Sequence, residues 1–246
     1  MDLNRNTLLK FWQNFNIILI FFILLYNVIM LKKIIIFDLD GTLLNTLEDL
    51  TYSTNFALEQ FGYPILSVEK VRSYVGDGVN KLIERAIPNG IDNPNFEICV
   101  SLFKANYQNN MYNKTKPYSG IKELLSYLKN KGIKIAVVSN KFDKAVKELC
   151  EKYFPSMIDI ALGENIKEGI RKKPAPDTVY KVLEHFGMTS DEAIYIGDSE
   201  VDIKTALNSN LPCISVTWGF KNREFLIKNG AEIIVDSPNE IIKYIG

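Results

Sequence analysis

The chain has 246 residues with 29 Lys and Arg against 29 Asp and Glu, a formal net charge of zero, and is 47% hydrophobic and 24% charged. These are globular proportions with ample material for a core; they exclude a disordered chain, and the lack of a basic excess counts against nucleic acid as a partner. Three widely spaced cysteines (Cys99, Cys150, Cys213) form neither a disulfide framework nor a zinc site and fit a reducing compartment, and a lone His185 excludes a His-rich metal centre.

Residues 11–31 carry no charged side chain. As a helix they would be about 31 Å long, close to a bilayer core. Two readings stay open. Residues 11–31 could anchor the protein at the inner face of a membrane, or residues 1–29 could be a dispensable extension ahead of a start at Met30. A cleaved signal peptide fits less well, because Asn27-Val28-Ile29-Met30 offers no pair of small residues. Basic residues flank the stretch on both sides, so charge does not orient it. An anchor would leave about two residues before the first strand, too few to clear the headgroups comfortably. The expected location is cytoplasmic, with the anchored form as the alternative. Without residues 1–29 the chain loses Arg5, Lys10 and Asp2, leaving 27 basic against 28 acidic residues.

The first predicted strand is 33–37. Helical periods follow at 47–61, 67–74, 79–87 and 95–112, parted by Gly62-Tyr63-Pro64, Gly76-Asp77-Gly78 and Pro88-Asn89-Gly90. From there helices and short β-branched runs alternate. Helices are predicted at 122–131, 141–153, 177–186, 201–208, 223–228 and 238–244, and strands at 134–139, 158–162, 193–197, 213–216 and 232–235. Alternation of this kind predicts an α/β fold, a Rossmann-like parallel sheet with helices on both faces. Residues 30–46 and 114–246 would form this core, and 47–113 an inserted α-helical cap domain.

The strongest chemical signal is Asp38-Leu39-Asp40-Gly41-Thr42, directly after the first strand. Two carboxylates at the C-terminal mouth of a strand stand where open α/β sheets bind ligands, and their mutual repulsion calls for a hard divalent cation. Taken alone, an Asp-Gly turn with solvated acids explains the pattern equally well. Ser139-Asn140 ends a later strand at a predicted helix start, able to hold a phosphate oxygen or merely to cap. Gly197-Asp198-Ser199-Glu200-Val201-Asp202 brings further acids to another strand end, and Lys173 could bring a cation or belong to a solvated basic run. Each is weak singly; all four converge on one sheet edge.

In this order Asp38-x-Asp40-Gly41-Thr42, Ser139-Asn140, Lys173-Pro174 and Gly197-Asp198-Ser199-x-x-Asp202 resemble the four motifs of the haloacid-dehalogenase-like hydrolase superfamily, over about residues 32–246. Softer cues resemble its phosphoglycolate phosphatases: Val75-Gly76-Asp77-Gly78-Val79, Lys173-Pro174-Ala175-Pro176-Asp177, Val216-Thr217-Trp218-Gly219-Phe220 and the ending near Asp236-Ser237-Pro238. The resemblance implies a Mg2+-dependent phosphatase acting on a small anionic phosphorylated metabolite, with 2-phosphoglycolate foremost. Related pyrophosphatases, sugar-phosphate phosphatases and mutases, or a non-catalytic membrane-tethered module, are the alternatives.

It further implies Asp38 as nucleophile, Asp40 as acid and then base, and Lys173 as stabilising cation. Magnesium would be held by Asp38, the Asp40 carbonyl and Asp198, with Asp202 in support, through water or by orienting Lys173. Ser139 and Asn140 would bind the phosphate, and Thr42 would orient it or Asp40. In the cap, Gly76 and Gly78 would offer backbone N–H groups, and Lys81 or Arg85 could meet a substrate carboxylate or simply face water. Oligomeric state has no sequence signal.

Overall fold

The protein is described here by a computed structural model covering residues 32–165 and 169–245. Ile34–Phe37 (β1) is the centre of a six-stranded, all-parallel sheet. The other strands are Lys134–Phe142 (β4), Ile160–Glu164 (β5), Ala193–Gly197 (β6), Cys213–Val216 (β7) and Ile233–Val235 (β8), in the order β5-β4-β1-β6-β7-β8. All four β1 side chains are fully buried, and they alternate between two cores. Ile35 and Phe37 pack with Leu124 and Leu128 of helix Ile121–Asn130 (α5) and Leu149 of Asp143–Tyr153 (α6). Ile34 and Ile36 face Val179 and Val182 of Asp177–Phe186 (α7) and Ala206 of Glu200–Asn208 (α8). Helices on both faces explain why the strand is a continuous apolar run rather than an alternating one.

Two-residue strands Leu44–Asn45 (β2) and Lys116–Pro117 (β3) pair antiparallel beside the sheet. Between them lie four helices, Leu47–Glu59 (α1), Val68–Tyr74 (α2), Val79–Ala86 (α3) and Phe96–Asn110 (α4). Leu58, Leu82 and Phe103 join the same core as Phe37, so this segment is packed onto the sheet domain and not merely tethered to it.

The return of the chain is stapled by one carboxylate. Asp49, 2% exposed, accepts from Lys114 N–H (3.0 Å), Thr115 N–H (2.8 Å) and the Thr115 hydroxyl (2.8 Å). Asp49→Ala would leave those buried donors unpartnered, and a loss of about 2–4 kcal/mol is expected from urea unfolding. A change below about 0.5 kcal/mol would show that the staple is dispensable.

Three local expectations change. The strand predicted at 134–139 runs on to Phe142, with a register irregularity between Val138 and Phe142 against β5. The helix predicted from residue 141 therefore starts at Asp143. The C-terminal segment Pro238–Tyr244 is a 3-10 helix, not an α-helix. The candidate anchor, residues 11–31, lies outside the described residues, as does the extension 1–29; among those described, no helix is long and apolar enough to cross a membrane.

Candidate active site

The C-terminal ends of β1, β4 and β6 meet at one cleft of about 650 Å³, counted out to its mouth. Asp38 leaves β1 with its N–H bonded to the Ile196 carbonyl (2.9 Å), so the carboxylate is fixed by the sheet itself. Lys173, joined to Pro174 by a cis peptide, faces it directly. The ammonium donates to three oxygens: Asp38 Oδ1 (2.7 Å), Asp202 Oδ1 (2.7 Å) and Tyr195 Oη (3.1 Å). Burial opposes the lysine's charge, but Asp202 and Asp38 hold its pKa well above the ordinary value.

Asp202 is itself committed. Its Oδ2 accepts from the Ser199 hydroxyl (2.6 Å) and the Ser199 N–H (3.1 Å), a capping box at the start of α8. Of the two supporting roles open to it, the observed contacts are those of a residue orienting Lys173. The basic run 171–173 thus splits three ways. Arg171 pairs at the surface with Asp177 (2.7 Å), Lys172 donates to the Asp77 carbonyl (2.6 Å), and Lys173 is buried.

Asp198 sits against the Asp38 loop. Gly41, at φ +89°, makes this possible: a Cβ there would lie 2.3 Å from Asp198 Oδ2. Asp198 Oδ2 accepts from the Phe220 N–H (2.6 Å), and the Trp218 indole N–H donates to the Thr42 carbonyl (3.0 Å). One carboxylate oxygen from each of Asp38, Asp198 and Asp202 lies within 4.8 Å of the others, all buried. Burial pushes the Asp38 carboxyl up to about 7 against the pull of Lys173. Burial, then the charges of Asp202 and Asp38, push Asp198 well above the usual carboxylate range. Two buried carboxylates that resist ionising side by side are a donor set suited to a hard, oxygen-binding cation.

Asp40 points to other partners. Its Oδ1 accepts from the Thr46 hydroxyl (2.5 Å), and its Oδ2 lies 3.0 Å from the ammonium of Lys141. Lys141 is buried, 4.4 Å from the centre of the Tyr107 ring on α4. Its pKa is raised despite burial, chiefly by Asp40.

Asp38, Asp40, Ser139, Asn140, Lys173, Asp198, Gly76 and Gly78 line the cleft together. Ser139 and Asn140 do so from within β4, not from a helix start, and the Ser139 Oγ accepts from the Lys141 N–H (3.2 Å). The Asn140 amide donates to the carbonyls of Lys173 (3.0 Å) and Gly76 (3.2 Å), while its buried Oδ1 has no hydrogen-bond partner. Gly76 and Gly78 therefore reach the site docked through carbonyls of their loop, rather than solely as N–H donors. Gly78, at φ +83°, allows the contact, since a Cβ would come 3.0 Å from the Asn140 carbonyl oxygen.

Against this geometry, residues 35–216 match the family described as haloacid dehalogenase-like hydrolase. The chain belongs to the haloacid dehalogenase-like hydrolases. This hydrolase is 30% identical to the phosphoglycolate phosphatase of Nitrosococcus oceani, over 86% of its own length and 96% of the relative's. It is 31% identical to that of Vibrio parahaemolyticus, over 87% and 96%. A crystal structure from Lactobacillus delbrueckii subsp. bulgaricus, provisionally assigned as a phosphoglycolate phosphatase, aligns with TM-score 0.83 at 39% identity, covering 88% of this chain and 99% of the other.

One expectation for the hydrolase's site is corrected, and Lys81 and Arg85, for which two readings stood open, are placed. Thr42 does not line the cleft or touch Asp40; its hydroxyl lies 3.5 Å from Asp198 Oδ1, and Thr46 takes the place beside Asp40. Lys81 and Arg85 do not line the cleft either: Lys81 pairs with Glu84 (2.7 Å), and Arg85 binds Asp77 (2.5 Å) and the Tyr74 carbonyl (2.7 Å). Thr46, Lys141 and Tyr195 were not foreseen. A lysine directly after Ser139-Asn140, at the end of the apolar run 135–138, is the signal the sequence carries for Lys141.

Proposed function

We propose that the protein is a Mg2+-dependent phosphomonoester hydrolase of small anionic metabolites, with 2-phosphoglycolate its leading substrate. The observation that carries this reading is the division of the two aspartates. Asp38 is held by Lys173 beside Asp198, while Asp40, two residues on, is held separately by Thr46 and Lys141. A nucleophile and a proton carrier with different partners are what a two-step displacement needs.

Asp38 attacks phosphorus as the ester P–O bond breaks, and Asp40 gives its proton to the departing alkoxide oxygen. Asp40 then takes a proton from water, whose oxygen attacks the aspartyl-phosphate, releasing phosphate and the Asp38 carboxylate. Lys173 keeps Asp38 aimed, with Asp202 and Tyr195 fixing the lysine. Magnesium, held by Asp38, the Asp40 carbonyl and Asp198, would supply positive charge against the phosphoryl oxygens. Ser139 binds the phosphate from β4 through its hydroxyl, and Asn140 beside it holds the Lys173 and Gly76 carbonyls in place. The helices between β2 and β3 act as a cap that excludes water and selects the substrate.

The names of the relatives favour the substrate choice. A phosphate-release assay with magnesium tests it across 2-phosphoglycolate, pyrophosphate and a set of sugar phosphates. The largest kcat/KM is expected for 2-phosphoglycolate; a higher value for pyrophosphate or a sugar phosphate reassigns the substrate, and no release from any of them refutes the phosphatase reading.

A further inference from the structure

We infer that Lys141 is a specificity-determining residue that receives a second anionic group, a carboxylate carried by the leaving-group side of the substrate. The inference rests on the phosphatase reading above and deepens it. Three lysines line the cleft: Lys141, Lys173 and Lys221. Lys173 has all three N–H donors on protein oxygens and stands at Asp38, the side where phosphorus is attacked. Lys221 is only partly buried, its ammonium 5.3 Å from the centre of the Phe225 ring.

Lys141 differs from both. Its side chain is 4% exposed, and its ammonium has a single carboxylate partner, Asp40. The face of Tyr107 lies 4.4 Å from the ammonium and helps to fix its position. A buried ammonium with one anionic partner keeps donor capacity for a second.

Its place also fixes the kind of ligand. In the proposed reaction Asp40 meets the ester oxygen, and a cation 3.0 Å from Asp40 then stands on the leaving-group side of the site. A carboxylate on the carbon bearing the ester oxygen falls within reach. The surrounding wall, built from Leu50, Val79, Leu82, Phe103 and Phe142, is apolar and offers a longer neutral or hydroxylated tail little to bind. Lys81 and Arg85, two of the cations on the helices between β2 and β3, are engaged in ion pairs and do not line the cleft.

The experiment compares kcat/KM for 2-phosphoglycolate and ethyl phosphate, which share the transferred group and differ in the carboxylate. The wild type is expected to prefer 2-phosphoglycolate by about 100-fold, and Lys141→Gln, which keeps a donor for Asp40, to lower that ratio at least about 30-fold. Lys141→Met should lower it further. A preference that survives loss of Lys141 overturns the assignment, as does an equal fall on both substrates. So does a wild type that treats the two alike, a measurement that depends on no variant folding. Phosphate release from neither substrate by the wild type sinks 2-phosphoglycolate as the substrate and this assignment with it; release from both without preference sinks only the assignment.

Discussion

Phosphate release by Asp38→Asn is expected to fall at least about 10⁴-fold, with the fold retained. The amide is isosteric, and its carbonyl oxygen can still accept from Lys173, but it cannot displace the ester oxygen as a carboxylate does. Lys173 keeps Asp202 and Tyr195 in any case. The substitution also removes one of the negative charges crowded with Asp198 and Asp202. The metal-free melting temperature should therefore hold or rise. Circular dichroism and thermal melting read the fold, and a colorimetric phosphate assay reads turnover. Activity above about 1% of wild type would remove Asp38 from the role of nucleophile.

Chelation should silence the enzyme, and magnesium should stabilise it more at pH 8 than at pH 5. In the metal-free chain the Asp38 carboxyl sits at about 7, above its ordinary value, and Asp198 is raised as well. Such groups bind protons more tightly folded than unfolded. Metal-free stability therefore falls as pH rises from about 4 through 7, the window between the unfolded and folded values of Asp38. A cation bound by the ionised carboxylates offsets that loss, so its benefit is greatest where they would otherwise repel. At 100 times its dissociation constant, one ion contributes about 2.7 kcal/mol, or roughly 5–10 °C in a protein of this size. Melting curves at both pH values, with EDTA or with magnesium, measure the difference. Equal shifts at pH 5 and pH 8, or full turnover in EDTA, would contradict the role given to these carboxylates.

The architecture was legible because each strand carries its own burial signal. Ile34–Phe37 and Ala193–Gly197 are apolar on both faces, and only a parallel sheet covered on both sides hides such runs. β2 and β3 were not legible, since two-residue strands have no period. Within the site, Asp38, Asp40, Lys173 and Asp198 stand out as polar residues at the ends of apolar strands or beside a proline. Thr46 and Thr42 could not be told apart, because which hydroxyl meets Asp40 depends on how the 39–44 turn closes. Lys141 was hidden for a different reason. Its meaning comes from Tyr107 and Asp40, 34 positions and 101 positions away, and a helix was expected to start where β4 in fact continues.

The loop at 76–78 is held on the sheet domain by Asn140 and Lys172 through the carbonyls of Gly76 and Asp77. These acceptors belong to the backbone, and every residue type supplies one. The side chains of Val75 and Asp77 are thus separable from docking: they can change under selection for a new substrate without unfastening the mouth of the cleft. Asn140 and Lys172 have no such freedom. Within this loop the freedom lies with Val75 and Asp77, while Gly78, at positive φ against the Asn140 carbonyl, shares the constraint of the machinery beneath it.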